Sequence, residues 1–385
     1  MKNLIVLTTA RSDYYLLKPL ICRLKKSKKI SIEIITTGSH LMKDQGFTYK
    51  IVENDFGITK KIKFSNVKTN KDLAKVISPS VQKFNKVFKK INSDGVVILG
   101  DRYEAFIAAI SAFFLGIPIL HIHGGEVTYG SMDDTMRHVI TKLSTYHFVS
   151  HSHHRKRVLQ LGEKPEKIFQ SGSLGVENLK KLRLLKKNII EKKLKFKFLR
   201  NNFIVTFHPE TLSKDFGVKS FKNLLKYLKK QKETFVIFTR PNADAGNHQI
   251  NLLIKEFLRS HKNSKYIFNL GDQLYFSIIK NCTAVIGNSS SGVIEVPSLK
   301  VPVINIGNRQ QGRVTSNSVI NCPVTSNQNL ERIFRKIENK KFINKIKKTR
   351  NVYDTGFRAS LFISKKIEKL ELKEKFFKKF NDLKF

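Results

Sequence analysis

Short apolar runs alternate with longer amphipathic stretches along the whole chain. In the first half the runs read NLIVLTT, SIEIITT, GVVILGD and IPILHIHG, and between them Asp72 to Ile91 and Tyr103 to Leu115 have helical periodicity. The same alternation returns in the second half with NNFIVTFHP, ETFVIFTRP, KYIFNLG, CTAVIGN and VPVINIG. Strands at this spacing, separated by helices, predict parallel sheets built from βαβ units.

The two series of strands are separated by KKLRLLKKNIIEKKLKFKFLRN, residues 180–201, which is highly charged and has no strand pattern. We interpret it as a solvated helix or loop at a domain boundary. The predicted fold class is therefore α/β, with two Rossmann-like domains facing each other across a cleft. The last segment, from Ser360, has a helical pattern rich in Lys and Phe, and we expect it to pack on the fold rather than lie on a membrane. The predicted boundaries are 1–178, 179–358 and 359–385.

Composition places the chain among globular proteins. Hydrophobic residues make up 41% and charged residues 26% of its 385 residues, and no apolar run approaches the roughly 20 residues of a membrane span. The opening MKNLIVLTTARSD has an apolar stretch too short for a signal peptide, interrupted by Arg11, so it is predicted to be a first strand. The three cysteines are odd in number and widely spaced, which disfavours disulfides and zinc. We expect a cytoplasmic protein.

The formal net charge of +42 is large, but lysine supplies most of it. Of the 72 basic residues 16 are Arg, so the remaining 56 are Lys. Such an excess, together with abundant Ile, Asn and Phe, indicates a compositional bias over the whole chain. A nucleic-acid surface more often concentrates arginine or interleaves basic residues with aromatics. We therefore expect no nucleic-acid partner, whereas a small anionic substrate fits the charge.

Polar clusters follow six of the predicted strands. They read ARSD, GDRYE, HIHGGE, HPET, RPNAD and NSSS. In open parallel sheets ligands bind beyond the carboxyl ends of the strands. One such cluster would be ordinary loop chemistry, but six at six strand ends predict a binding site.

The stretch AVIGNSSSGVIE, residues 284–295, predicts a phosphate site. Gly287 and Gly292 let the backbone approach a ligand, and Ser289 to Ser291 add donors at a helix N-terminus, which carries partial positive charge. Plain capping requires one hydroxyl, not three. Glu295 lies about a turn further on, where we expect a sugar hydroxyl as its partner, and Pro297 predicts a short helix.

Several other sites are disfavoured by the motifs. Neither GxxxxGK[ST] nor a GxGxxG after the first strand occurs, which disfavours an ATPase and a dinucleotide cofactor. The histidines of HFVSHSHHR, namely His147, His151, His153 and His154, lack the carboxylate or cysteine pattern that would complete a metal site. They are interpreted as solvated or capping residues, and we expect neither a metal nor a cofactor.

The sequence resembles the hydrolysing UDP-N-acetylglucosamine 2-epimerases of sialic acid biosynthesis. The resemblance rests on GDRYEAF, HIHGGE, DDTMRHVITKLS, QLGEKPEKIFQSGSLG, TFHPET, RPNADAGN and GNSSSGVIEVPSLKVPVINIGNRQQGR, which span nearly the whole chain. It implies a GT-B fold whose first domain carries the catalytic acids, whose second binds UDP, and whose last helix packs back on the first. It also implies a homo-oligomer, a dimer or tetramer.

The resemblance further implies a reaction in which UDP leaves C1 while a proton is lost from C2. Water then adds to the 2-acetamidoglycal and yields the free mannose-configured sugar. Carboxylates can take the proton and stabilise the positive charge that develops on the ring. UDP-N-acetylglucosamine is the first expectation, and UDP-N,N′-diacetylbacillosamine, the precursor of legionaminic acid, is the alternative. A non-hydrolysing epimerase, which would keep UDP attached, also stays open.

The residues that match the family's motifs divide into two sets. The predicted catalytic set is Asp101, His123, Glu126, Asp133, Asp134 and His208. The predicted UDP- and sugar-binding set is Arg11, Arg137, Asn242, Asp244, Asn288, Ser289, Ser290, Ser291, Gly292, Glu295, Arg309 and Arg313.

Some of these roles are more specific than others. Which acid is the C2 base stays open. Family members often carry Glu where this chain has His123, which leaves His123 as base, orienting residue or sugar contact. Arg11 is expected to approach the diphosphate and Arg137 to support the acidic loop. His208 is expected on the phosphate or leaving-group side. Glu295 should bind the ribose, and Arg309 with Arg313 should close over the nucleotide.

Overall fold

The computed structural model describes residues 1–64, 70–242, 246–372 and 378–383. The chain divides into two compact units, each built from more than one segment. Unit 1 consists of Met1–Glu126, Asp133–Asn178 and Thr355–Phe385, and unit 2 consists of Val127–Met132 and Leu179–Asp354.

Unit 1 contains a parallel sheet of seven strands in the order β3-β2-β1-β4-β5-β6-β7. The strands are β1 Lys2–Thr8, β2 Ile30–Thr37, β3 Lys60–Ile62, β4 Gly95–Leu99, β5 Ile119–Ile122, β6 Tyr146–Val149 and β7 Ile168–Gln170. The helices are α1 Arg11–Lys26, α2 Tyr49–Phe56, α3 Asn70–Ile91, α4 Tyr103–Phe114, α5 Asp133–Leu143, α6 Ser152–Gln160 and α7 Leu174–Lys181. The central strands are apolar because helices cover both faces of the sheet, and all of β4 is buried.

Unit 2 contains a second parallel sheet, of six strands in the order β10-β9-β8-β11-β12-β13. Its strands are β8 Asn201–Thr206, β9 Thr234–Thr239, β10 Ser264–Ile267, β11 Ala284–Gly287, β12 Val303–Ile306 and β13 Val319–Cys322. Its helices are α8 Lys187–Leu194, α9 Val218–Lys229, α10 Asn247–Ser260, α11 Gly271–Lys280, α12 Ser290–Ile294, α13 Asn327–Glu338 and α14 Lys340–Lys348.

Both sheets have a point where the strand order reverses. In unit 1 it lies between β1 and β4, and in unit 2 between β8 and β11. Reversal sends the adjoining crossovers to opposite faces, which leaves a crevice beyond the carboxyl ends of the two strands. The loops that follow these four strands therefore carry the side chains best placed to bind a ligand.

The last helix, α15 (Ala359–Lys369), belongs to unit 1. Ile363 and Ile367 are fully buried in the cluster that contains the apolar face of α1. Ser360 is fixed by Glu177 of α7, whose carboxylate oxygens accept from the Ser360 amide at 2.6 Å and its hydroxyl at 2.7 Å. Packing and hydrogen bonds together anchor the helix to unit 1.

The helical pattern predicted from Ser360 to Phe385 overestimates the helix, which ends at Lys369. Residues 378–383 are irregular, and two of their side chains contact other parts of unit 1. Lys378 pairs with the buried Glu163 at 2.6 Å and donates to the carbonyls of Lys142 and Ser144. The Phe380 ring packs directly on Gly162, so a Cβ at this position would displace the ring.

The other predicted elements are confirmed. All nine predicted strands are present, α3 includes Asp72 to Ile91, and α4 ends at Phe114, one residue before its predicted end. Residues 180–201 contain the end of α7, helix α8 and only the first residue of β8. Four strands were not predicted: β3, β6, β7 and β13. In the described part of the chain, no helix is both long and apolar enough to cross a membrane.

Candidate active site

The carboxyl end of the unit 1 sheet brings two predicted acids to one buried arginine. Asp101 follows β4, and Asp134 lies in the first turn of α5. Arg137, one turn further along α5 and 2% exposed, contacts Asp101 through one guanidinium nitrogen and Asp134 through the other at 3.4 Å. His138 lies 3.6 Å from the second oxygen of Asp134. The arginine compensates two carboxylates and fixes the loop after β4 to α5.

A buried histidine, His121, also links the loop after β4 to helix α5. His121 of β5 lies with Nε2 2.8 Å from the carbonyl of Gly100, and with Nδ1 3.2 Å from the hydroxyl of Thr141 on α5. Burial lowers the pKa of His121 to about 3, so the ring is neutral and Nε2 donates to the carbonyl. Gly124 must lack a side chain, because a Cβ there would lie 2.9 Å from His121 Nδ1. The residue before Asp101 is thus tied to the helix that carries Asp134.

The predicted acid Glu126 lies in a second buried group at the same edge of the sheet. Its Oε1 accepts a hydrogen bond from Ser150, just after β6, at 2.8 Å and lies 3.7 Å from Nδ1 of His123. The Ser150 hydroxyl is in turn 3.0 Å from Nδ1 of His154 on α6. His123 has φ +67, which is unusual for a residue with a side chain and indicates local strain.

The first turn of α1 carries Arg11 and a further acid, Asp13, and the first turn of α4 carries another, Glu104. Asp13 accepts from the hydroxyl of Thr9, and burial raises its pKa, against the opposing field of Arg102. Glu104, fully buried, is bound by Arg102 at 3.2 and 3.4 Å, and burial raises its pKa as well. Arg102 and Glu104 were not in the predicted set, although they belong to the GDRYE motif that supplied Asp101.

In unit 2, Asn288 fixes the loop that carries His208. Asn288 follows β11 and is fully buried; its side-chain oxygen accepts from the amide of His208 at 2.7 Å, and its side-chain nitrogen donates to the carbonyl of His208 at 2.8 Å. The side chain of Asn288, predicted to contact substrate, is thus engaged by the neighbouring loop. It joins the ends of β8 and β11, the two strands at the reversal point.

His208 itself is held as a neutral ring. Its Nδ1 accepts from the amide of Asn242 at 3.0 Å, so this nitrogen carries no proton and Nε2 does. Burial, and the positive charge of Arg309, lower the pKa of His208 well below its usual value. The ring can therefore offer a neutral N–H donor from Nε2. Asn242 contributes its backbone to this arrangement, and the predicted residue Asp244 lies outside the described residues.

The serine cluster begins α12, as predicted, and this helix is short. Ser289 is the N-cap residue, yet its hydroxyl makes no capping hydrogen bond. Gly287 has φ +136, and a Cβ there would lie 1.9 Å from the carbonyl oxygen of Thr206, so only glycine fits. Glu295, at the end of α12, is 7% exposed. Capping therefore does not use the Ser289 hydroxyl.

The loop after β12 carries the two predicted arginines. Arg309 and Gln310 both donate to the carbonyl of Asn288, at 3.1 and 2.9 Å. Glu210, of the HPET motif, accepts from the amide of Asn308 at 3.0 Å, and burial raises its pKa. Arg313 follows in the same loop, where its amide donates to Gln310. Gln310 and Glu210, absent from the predicted set, thus position the loop with Arg309.

The segment between Glu126 and Asp133 belongs to unit 2. Within that unit Tyr129 donates from its amide to the carbonyl of Gln311 at 3.2 Å. Gly130 lies directly on the Asn308–Arg309 backbone, where a Cβ would come within 2.7 Å. The segment therefore packs along the loop that presents the two arginines.

The histidines of residues 147–154 take several roles. His151 caps α6, with Nδ1 accepting from the amide of His153 at 3.1 Å, as predicted. His147 and His154 are buried, contrary to the expectation of solvated or capping residues, and His147 lies 3.0 Å from Glu163. Among the described residues, no group of three or more His, Cys, Asp or Glu side chains is arranged to bind a metal ion.

Comparison with known proteins agrees with this architecture. Residues 22–367 match the family model described as UDP-N-acetylglucosamine 2-epimerase. The chain is 39% identical, over 89% of its length and 88% of the relative, to the Campylobacter jejuni GDP/UDP-N,N′-diacetylbacillosamine 2-epimerase (hydrolyzing). It is also 39% identical, over 92% of its length and 90% of the relative, to the Escherichia coli polysialic acid biosynthesis protein P7.

A solved structure shows the same fold. The Neisseria meningitidis UDP-GlcNAc 2-epimerase bound to UDP-GlcNAc aligns with a TM-score of 0.80 and 20% identity, over 96% of this chain and 100% of that one. This likeness confirms the predicted fold class, two parallel-sheet α/β domains of the GT-B type. Because the family model covers most of the chain, the protein belongs to the UDP-N-acetylglucosamine 2-epimerase family.

Proposed function

We propose that the protein is a hydrolysing 2-epimerase that converts a UDP-linked 2-acetamido sugar into UDP and the free 2-epimeric sugar. The observation that carries the proposal is the pair of acids, Asp101 and Asp134, held by the buried Arg137 at the reversal point of the unit 1 sheet. Relatives whose names specify hydrolysis support it across most of the chain.

The chemistry requires a base and charge stabilisation at the sugar. The C2 hydrogen has no neighbouring carbonyl to acidify it, so its removal must accompany cleavage of the C1–O bond. The electron pair of the C2–H bond then forms the double bond of the 2-acetamidoglycal, and the C1–O pair leaves with UDP. Asp101, Asp134 and Glu126 are the proposed groups that take the proton and stabilise the ring charge. Asp133 and His123 remain further candidates for the base.

Addition of water completes the reaction. A hydroxyl adds at C1, and a proton returns to C2 from the face opposite to that from which it left. The product is the free mannose-configured sugar, and no metal or nicotinamide enters the balance. Because the proton leaves C2 from one face of the ring and returns from the other, the base and the acid at C2 are proposed to be two different groups on opposite sides of the sugar.

Unit 2 is proposed to bind UDP. The backbone around Gly287 and Gly292, with the hydroxyls of Ser289, Ser290 and Ser291, supplies neutral donors for phosphate oxygens. Arg309 and Arg313 add positive charge, and Arg11 of unit 1 is proposed to add more at the diphosphate. The Nε2–H of His208 is a donor suited to the leaving phosphate, and Glu295 is proposed to bind the ribose hydroxyls.

The identity of the sugar has two candidates. UDP-N-acetylglucosamine is the first, and a relative named for polysialic acid biosynthesis supports it. UDP-N,N′-diacetylbacillosamine is the second, because a relative at 39% identity is named as a hydrolysing 2-epimerase of GDP/UDP-N,N′-diacetylbacillosamine and one at 32% as that of the UDP form. The two substrates differ at C4 and C6 of the ring.

The deciding experiment incubates the purified protein with each sugar nucleotide and follows UDP release and the sugar product by NMR. Release of UDP with a free 2-epimeric sugar from one substrate supports the proposal and identifies that substrate. Formation of a UDP-linked epimer would instead select a non-hydrolysing epimerase. Inactivity on both substrates, in protein that still binds UDP, would contradict the proposed reaction.

A further inference from the structure

We propose that Ser150 and His154 are positioning residues for Glu126, and that they act through a one-way chain of hydrogen bonds from His154 to Ser150 to the carboxylate. This inference rests on the proposed function, because it gives Glu126 a defined state in that reaction. The motifs of the sequence did not single out either residue for this role.

The direction of the chain follows from counting protons. The proposed role of Glu126 as a base requires an ionised carboxylate, which only accepts hydrogen bonds, so the 2.8 Å contact with Ser150 uses the single hydroxyl proton of Ser150. The serine oxygen can then only accept at its 3.0 Å contact with His154. Nδ1 of His154 must therefore carry the proton.

The chain is buried over its whole length. Glu126 is 2% exposed, Ser150 1% and His154 1%. Water therefore has little access to replace a lost partner, and hydrogen bonds to charged groups are stronger in such surroundings. The chain should keep Glu126 ionised and restrict its rotation, which a carboxylate that exchanges a proton with substrate requires.

The groups around Glu126 come from several elements. His123, of the loop after β5, has Nδ1 3.7 Å from the carboxylate, and His121 of β5 lies close enough to interact electrostatically with it. From α6, His154 acts through Ser150, and Arg157 donates to the carbonyl of Gly125, the residue before Glu126. Burial lowers the pKa of His121, so this ring stays neutral over the pH range of an assay.

The first experiment compares Ser150→Ala with wild type in steady-state kinetics over a range of pH. Removing one hydrogen bond to a charged group should lower kcat by roughly 10- to 100-fold. KM should change little, because Ser150 is 1% exposed and is proposed to act on the substrate only through Glu126. Loss of the donor raises the pKa of Glu126, so the acidic limb of the kcat/KM profile should move to higher pH. A variant with the wild-type kcat and an unshifted limb would overturn the inference.

Matched variants separate positioning from packing. Ser171→Ala removes another fully buried serine hydroxyl near the same edge, whose hydrogen bonds within the described part of the chain go to the carbonyls of Val149 and Gly172. It should leave the pH profile unshifted. His154→Asn, whose amide can replace Nδ1–H, should retain more activity than His154→Gln, whose amide extends toward Nε2. Equal loss in both, or a shifted limb in Ser171→Ala, would show a structural effect only.

A measurement independent of activity tests the direction of the chain. In protein labelled with ¹⁵N-histidine, long-range ¹H–¹⁵N NMR distinguishes the tautomers, and His154→Asn identifies the signals of His154. The Nδ1–H form is expected, and the Nε2–H form would overturn the chain. If wild-type protein released no UDP from any substrate, the proposed function would fail, while the tautomer would still decide whether the chain exists.

Discussion

At the scale of single residues, Arg137 explains why two acids can be kept close together. A guanidinium remains charged at any physiological pH, and its planar donors bind carboxylates in a fixed geometry. Burying such a charge is unfavourable without partners, and Asp101 and Asp134 supply them. The same contacts fix the positions of both acids, so stability and chemistry depend on one side chain.

Asp101→Asn should remove turnover while leaving UDP binding intact. The amide keeps the shape of the side chain and can still contact Arg137, but it cannot accept a proton from C2. We expect kcat to fall by about 100- to 10,000-fold. The dissociation constant for UDP, measured by calorimetry, should stay close to that of wild type because unit 2 is proposed to bind the nucleotide.

The matched control for this variant is Asp94→Asn. Asp94 precedes β4 and accepts from the amide of Asn3 at 2.8 Å, at the opposite end of the strands. It should retain wild-type turnover. If Asp101→Asn weakened UDP binding as strongly as it lowered kcat, Asp101 would have a role in nucleotide binding rather than in the chemical step.

A histidine that is buried and neutral in the folded protein makes the free energy of unfolding decrease at mildly acidic pH. Burial, with a smaller contribution from Arg102, lowers the pKa of His40 to about 4. Between pH 6.5 and 4 the unfolded chain binds a proton at this position that the folded protein does not, so stability decreases as pH falls through this window. For one such group the full loss is about 3 kcal/mol.

His40→Gln should reduce this acid sensitivity. The Gln amide can contact Thr8, which lies 3.0 Å from Nε2 of His40, without titrating. Urea unfolding at pH 7 and pH 5 should show a smaller difference for the variant than for wild type. An identical difference in the two proteins would mean that His40 does not titrate in the unfolding equilibrium.

At the scale of elements, the turn from β11 to α12 sets the geometry of the proposed phosphate site. Gly287 brings its backbone against the carbonyl of Thr206, and Asn288 then fixes the loop that contains His208. Glycine is required for two separate reasons, a positive φ and a close contact. The serines that follow are placed by this turn.

Gly287→Ala should weaken UDP binding and destabilise unit 2. The new Cβ would lie 1.9 Å from an oxygen, so β8 and β11 must separate at their ends. Gly271→Ala is the matched control, because Gly271 also has positive φ but a Cβ there meets nothing within 4 Å. The control should lose only about 1 kcal/mol of unfolding free energy. Equal UDP affinities in the two variants would contradict the role given to this turn.

The sequence predicts the buried strands well and the marginal ones poorly, for a physical reason. Strands such as β4 are apolar throughout because helices cover both faces. By contrast, β3 has three residues, two of them exposed lysines, so its strand conformation depends on pairing with β2 rather than on its own pattern. The strand β6 does not stand out in the sequence, because its YHFV run contains one histidine and three more histidines follow it closely.

The sequence predicts the residues of the candidate site that lie in a motif directly after a recognisable strand. Asp101, His208 and Asn288 all lie at such positions. Ser150 also follows a strand, β6, and the same rule would have found it had β6 been recognised. Glu210 and Gln310 position a loop distant in sequence, and their partners become evident only when the strands are placed side by side.

At the scale of the whole molecule, α15 completes the core of unit 1. Ile363→Ala should therefore lower the unfolding free energy of that unit by about 2–5 kcal/mol. Lys365→Ala, at an exposed position on the same helix, is the control and should have little effect. Denaturant unfolding followed by amide hydrogen exchange can resolve the two units. In Ile363→Ala the protection of backbone amides should fall in unit 1. Loss confined to unit 2 would contradict the packing of this helix.

The return of α15 has a consequence for how the protein is made. When a ribosome has synthesised the first 178 residues, the apolar side of α1 still lacks Ile363 and Ile367. At ordinary translation rates the missing helix follows roughly 10–40 s later. During that interval the nascent chain exposes an apolar surface, so the supply of chaperones during expression should influence the yield of folded protein.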